Sequence, residues 1–143
     1  MTDRDLILAK AGSVRRHLNR VIEKRNIDMQ IFLEDIDRQE SVLFNLHRAI
    51  QKCIDIAAHI VSEEGAGMPG STNEMFYLLE ENGYMGGGLT EKMVKANGFR
   101  NLIVHEYGKV ELKHVFEIAH KNIDDLNEYL KAIFAKLEIN SSC

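Results

Sequence analysis

MQIFLEDIDRQESVLFNLHRAIQKCIDIAAHIVSEE, from Met29 to Glu64, is the stretch that decides the fold. Along it Ile36, Leu43, Leu46, Ile50, Cys53, Ala57 and Ile60 recur at steps of three, four and seven residues, with charged and amide side chains between them. Such steps put the apolar groups on one face of an α-helix, since side chains three and four apart share a side. The spacing therefore predicts one long helix over 29–64. A helix with a single apolar stripe is stable only when that stripe is covered, so the rest of the chain has to supply partners.

The same period continues on both sides. Towards the N-terminus, Ile7, Val14, Leu18 and Val21 mark a first helix that opens at a Thr2-x-x-Asp5 capping box and ends near Asn26. Beyond Glu64, the run Gly65-Ala66-Gly67-Met68-Pro69-Gly70 breaks the pattern and is read as a loop, because glycine loses most entropy in a helix and proline lacks the amide donor. Ser71-x-x-Glu74 caps a short third helix carrying Met75, Phe76, Leu78 and Leu79, which stops at Asn82-Gly83. A second loop, Tyr84 to Leu89, leads to Thr90 as the N-cap of a fourth helix that passes through Met93, Val94 and Phe99 to about Val104, with Gly108 as terminator. Val115, Ile118, Asn122, Leu126, Leu130, Ile133 and Leu137 are in register on a fifth. No repeat and no strand is needed. The expected fold is all-α, an antiparallel bundle of about five helices, in one domain spanning 1–143.

Composition narrows the function classes. A net charge of −4 argues against a broad basic face for non-specific nucleic-acid binding, though not against a small cationic site. Arg16, Arg20 and Lys24 recur every four residues on the first helix and read as a solvated face; Lys92, Lys95 and Arg100 form a second local cluster. No run approaches the roughly 18 apolar residues of a membrane span, and the charged N-terminus lacks a secretory signal, so a cytoplasmic protein is expected. Two cysteines, Cys53 and Cys143, give neither a disulfide framework nor zinc spacing.

Several candidate sites fail on chemistry. Gly83-Tyr84-Met85-Gly86-Gly87-Gly88 has the outer glycines of a phosphate-binding loop, but Leu89-Thr90 stands where lysine and a hydroxyl residue belong, and a helix precedes it where a strand is required. Asp55 with His59, and Glu117 with His120, could each aim two ligands at a metal, but the carboxylates needed from two further helices are missing. No metal or other cofactor is expected. His17, His47 and His114 stand alone.

Phe99-Arg100-Asn101-Leu102-Ile103-Val104-His105-Glu106-Tyr107-Gly108 is different in kind. Arginine offers a rigid fork of donors for phosphate oxygens, and histidine, with a free pKa near 6.5, transfers protons near neutrality. Metal-free RNA cleavage needs both: a base takes the ribose 2′-hydroxyl proton, and a cation stabilises the charge developing on phosphate. At about 100° per residue, Arg100 and His105 point roughly 140° apart on a regular helix, whereas Arg100 and Tyr107 nearly coincide. Either the helix ends or bends before His105, or two copies of the chain combine their residues at a two-fold axis, or both. The competing reading is a pair of cations at a helix end, where they complement the macrodipole.

Arg100-Asn101-Leu102-Ile103-Val104-His105-Glu106-Tyr107 resembles the arginine, four residues, histidine, one residue, tyrosine signature of the HepT-like toxins in the HEPN (higher eukaryotes and prokaryotes nucleotide-binding) superfamily. The stretches Asn45 to Gln51, Asp55 to Ile60, Met68-Pro69 and Gly98 to Asn101 are similar to the family's other recurring segments in the same order, and the likeness runs from about Asn19 to Tyr129. The resemblance implies a five-helix bundle forming a two-fold homodimer whose arginines and histidines line one cleft. It implies the toxin of a type VII toxin–antitoxin pair, a metal-independent endoribonuclease acting on transfer or messenger RNA. The implied partner is a minimal nucleotidyltransferase antitoxin that places AMP on the motif tyrosine, here Tyr107. On this reading Arg100 and His105 are catalytic, Asn101 assists through its amide, and Arg48 and Asp55 support the site or pair structurally. Two other classes compete: a HEPN domain that binds RNA, nucleotide or protein without cutting, and a structural bundle in which Arg100 and His105 are replaceable.

Overall fold

The computed structural model describes residues 3–139. Seven α-helices and one 3-10 turn account for its regular structure, with no strand among the described residues: α1 Asp3–Arg25, α2 Met29–Glu34, α3 Ile36–Glu64, α4 Thr72–Glu81, α5 Gly87–His105, the turn Tyr107–Lys109, α6 Leu112–Lys121 and α7 Ile123–Leu137.

The spine is the pair α1 and α3, the most extensive helix contact in the molecule. Ile7, Ala11, Val14, Leu18 and Val21 from α1 meet the α3 stripe that includes Leu43, Leu46, Ala49, Ile50, Cys53, Ala57 and Ile60, all buried. Fully burying a side chain of this size contributes about 1.5–3 kcal/mol. α4, α5 and α7 close the other side through Phe76, Leu79, Met93, Tyr129, Leu130 and Ile133. Tyr129 is fully buried, and its hydroxyl donates to the Cys53 carbonyl at 3.0 Å, so the polar end of the ring is satisfied inside the core. Burial pushes the Cys53 thiol well up, which leaves it a packing group without nucleophilic character.

The all-helical bundle is as expected, but two of the five anticipated helices are each divided. Asp35 breaks the 29–64 helix: its backbone is extended (φ −108°, ψ 94°), it ends α2 and it caps α3 by accepting the Arg38 amide at 3.0 Å. The carbonyl of Phe32 at the end of α2 accepts from the Gln39 side chain at 2.9 Å, and Arg38 donates to the Lys24 carbonyl of α1 at 3.0 Å. The apolar period carries on across this corner because Phe32 is also buried, which hides the break from periodicity alone. Asn122 divides the last helix into α6 and α7 differently, with a near-helical backbone (φ −108°, ψ −8°) and no side-chain cap bond, its amide donating instead to the Asp125 carboxylate at 3.3 Å.

The expected ends fare differently. Ser71 caps α4 through the Glu74 amide at 3.2 Å, and Gly65 and Gly83 close α3 and α4 at positive φ (59° and 82°). Thr90 is not an N-cap. α5 begins at Gly87 with Gly86 in the cap position, and Thr90 is buried inside the first turn, its hydroxyl donating to the Gly86 carbonyl at 3.1 Å. Gly108 is not the terminator either, since α5 ends at His105 with Glu106 as its C-cap. Thr2 of the first capping box and Cys143 lie outside the described residues.

Candidate functional site

The motif sits at the C-terminal end of α5. Phe99 anchors that turn, being 8% exposed, while Arg100, Asn101, Leu102 and Ile103 are half-buried and Val104, His105 and Tyr107 are exposed. α5 runs as one helix through His105, whose following amide, that of Glu106, still bonds the Leu102 carbonyl at 2.9 Å. The expected end or bend before His105 is therefore absent, and Arg100 and His105 of a single chain leave α5 about 140° apart. Tyr107 falls beyond the cap, in the 3-10 turn, so the face it was expected to share with Arg100 does not exist. A Lys109–Glu106 ion pair at 3.0 Å spans that turn beside it.

Arg100 is held at one end only. Its Nη1 donates to the Asn101 side-chain oxygen at 3.0 Å, while Nε is buried with no hydrogen-bond partner. A buried donor without a partner costs free energy that an incoming acceptor such as a phosphate oxygen recovers. On α3, His47 lies within electrostatic reach of Arg100 on α5. The His47 pKa is lowered first by burial, then by the Arg100 guanidinium and then by that of Arg48. Sequence spacing left His47 as a lone histidine. Its adjacency to Arg48 was the available signal, but the link to Arg100 is a contact between two helices and no local pattern encodes it.

Asp55 turns away from this group. It pairs with Lys10 of α1 at 3.6 Å and accepts from Gln51 at 3.0 Å, the structural pairing that was one of its two readings. Of the Arg16, Arg20 and Lys24 face, Arg16 and Arg20 are exposed, Arg20 bonded to Glu23 at 3.2 Å, and Lys24 is half-buried. His17 shares a hydrogen bond with the Asn45 side chain at 2.8 Å, and His120 with the Phe116 carbonyl at 2.9 Å, so neither is poised as a ligand. Among the described residues, Asp3, His59 and Glu63 bring potential ligand atoms within 4.8 Å of one another. Asp3 Oδ1 lies 3.3 Å from His59 Nε2, and His59 lies roughly 18 Å along α3 from His47. No helix among the described residues is long and apolar enough to cross a membrane.

An all-helical bundle that carries arginine and histidine towards the end of one helix, with an exposed tyrosine in the turn beyond it, matches the HEPN class. The sequence model described as Ribonuclease HepT-like matches residues 14–133. This chain belongs to that family. It is 31% identical over 132 residues to the mRNA nuclease HepT of Shewanella oneidensis, covering 92% of this chain and 98% of that one. It is 27% identical over 111 residues to the tRNA nuclease HepT of Aphanizomenon flos-aquae, covering 78% and 76%. Its structure superposes on a tri-AMPylated Shewanella oneidensis HEPN toxin solved in complex with an MNT antitoxin, with a TM-score of 0.86 and 31% identity over 94% of this chain and 99% of that one.

Proposed function

We propose that the protein is the toxin of a toxin–antitoxin pair, an endoribonuclease that works as a two-fold homodimer in the cytoplasm and needs no metal. The observation that carries the site is the unbroken α5: with Arg100 and His105 diverging on one chain, a second copy is the simplest source of the complementary residue. His105, exposed at the helix end, takes the proton from a ribose 2′-hydroxyl; the freed oxygen attacks the adjacent phosphorus, the bond from phosphorus to the 5′-oxygen breaks, and that oxygen takes a proton from a histidinium, His105 once charged or its counterpart in the second copy. Arg100 holds the non-bridging oxygens, and Asn101 fixes the guanidinium through the 3.0 Å bond. The products are a 2′,3′-cyclic phosphate and a 5′-hydroxyl. The names of the two nuclease relatives support RNA as substrate, and differ as to messenger or transfer RNA.

Tyr107, 57% exposed and outside the helix, is accessible to a modifying enzyme. AMP carried there by a nucleotidyltransferase antitoxin places negative phosphodiesters where RNA phosphate has to sit, so repulsion and bulk both oppose binding. The complex of the Shewanella toxin with its antitoxin supports this partner and this chemistry.

The test is cleavage of total cellular RNA in EDTA. Wild type should cut, Arg100→Ala and His105→Ala should each fail, and mixing the two inactive variants should restore part of the activity, because one mixed cleft regains both groups. Cutting by His105→Ala at the wild-type rate rejects the site; failure to complement rejects the shared cleft. Incubation with antitoxin and ATP should give an adduct that mass spectrometry places on Tyr107, and an adduct elsewhere rejects that role.

A further inference from the structure

We propose that the cleft between α3, α5, α6 and α7 is a subsite for one nucleotide of the RNA chain, base inward, next to the phosphate that is cut. The inference rests on the ribonuclease reading and names a part of the substrate site that the motif does not contain. The cleft has a volume of ≈ 750 Å³, in the range of ligand pockets, and its floor is the buried apolar surface of Leu46, Ile50 and Leu126. Phe99 and His114 face each other across one wall, edge to face, with ring centroids 6.0 Å apart. A flat, uncharged base fits such a lining, and aromatic walls bind bases with little regard to sequence.

The rim selects what the floor alone would not. Lys92, Lys95 and Lys121 all line the cleft. Lys92 is held by Asp125 and Glu128 at 3.6 and 3.7 Å, but no ion pair with Lys95 or Lys121 occurs among the described residues. In a chain of net charge −4, two unpaired ammonium groups at the mouth of an apolar cleft complement a ligand that is anionic outside and apolar inside. A partner helix or a second copy would match the floor and leave the lysines without an assigned role. Position agrees as well: Phe99 immediately precedes Arg100, and Leu102, another lining residue, lies one turn before His105. A strand whose scissile phosphate meets Arg100 and His105 brings its neighbouring base to this opening.

The experiment uses the intact protein and a 2′-O-methyl RNA hexamer, which cannot be cut, alongside cleavable RNA. Lys95→Glu combined with Lys121→Glu should weaken hexamer binding at least about tenfold and flatten its salt dependence, raising KM with kcat nearly unchanged. Ala96→Phe, which fills the cleft without changing charge, should weaken binding comparably, whereas Lys113→Glu, on α6 outside the cleft, should not. Wild-type binding and KM in both cleft variants, with His105→Ala inactive, overturns the subsite and leaves the ribonuclease reading intact. A wild type that binds the hexamer through the cleft but cuts no RNA keeps the subsite and overturns the ribonuclease reading. Cleft variants that bind RNA normally but lose the antitoxin or the homodimer, measured by sedimentation, assign the cleft to a protein and overturn the proposal.

Discussion

The α1–α3 spine and the C-terminal end of α5 obey opposite rules. Along the spine, the apolar stripes cover each other and several flanking polar groups find partners, as Asp55 does with Lys10 and His17 with Asn45, while Gln51 Oε1 and His59 Nε2 are buried without a hydrogen bond. At the end of α5, Arg100 keeps a buried donor without a partner, and His105 and Tyr107 stand in solvent. The first region is mostly taken up with its own packing; the second presents groups in solvent that a substrate or a second subunit can use. Stability and activity should therefore separate cleanly between them.

The largest effect expected is on activity at the exposed end. His105→Ala should lower RNA cleavage by about 10²–10⁴-fold, the range for removing a positioned acid or base. Its melting temperature should stay within about 1 °C of wild type, because an exposed side chain leaves no cavity. A large drop in melting temperature would place His105 in the framework instead. The converse holds in the spine: Leu18→Ala should cost about 2–5 kcal/mol in urea unfolding, while the folded fraction cuts RNA at the wild-type rate. Loss of cleavage in that folded fraction would couple the two regions.

How much of this contrast the sequence announces depends on whether the information is local. Helical period and buried stripe are local, and Leu43 to Ile60 lie where the spacing puts them. Ser71 and Gly65 are equally legible, since a hydroxyl that caps and a glycine that adopts a left-handed backbone act within a few residues. Asp35 and Asn122 show the limit: each is a good cap residue, but Phe32 and Ile123 keep the apolar rhythm going past the corner. Thr90 shows the reverse, a capping residue whose hydroxyl bonds back inside the turn. Within the proposed site, Arg100, His105 and Tyr107 could be picked out because their chemistry is adjacent in sequence. His47 beside Arg100, and Lys121 across the cleft from Lys95, are products of packing between helices.

Smaller effects sharpen the same division. Ser71→Ala, which removes the α4 cap remote in sequence from the motif, should cost about 1 kcal/mol with no change in cleavage. The finest test concerns pH. His47 has its folded-state pKa below the ordinary histidine value of 6.5, through burial and then the two arginines, so the unfolded chain binds more protons just below that pH. Stability should then fall as pH drops below 6.5 towards the folded-state pKa. His47→Gln should flatten that part of the urea-midpoint profile, and an unchanged slope would show that folding does not lower the His47 pKa.

Tyr107 stands two residues past the end of α5, in a single turn that contributes no buried residue to the core. A chemical load attached there is borne by the surface and leaves the bundle's cohesion untouched. Silencing by that route would be storage without damage: the inert form should melt where the active form melts, resist proteases equally, and regain full strength once the load is hydrolysed. A cell holding such a protein keeps it folded and ready, so a calorimeter could not tell the sleeping molecule from the waking one.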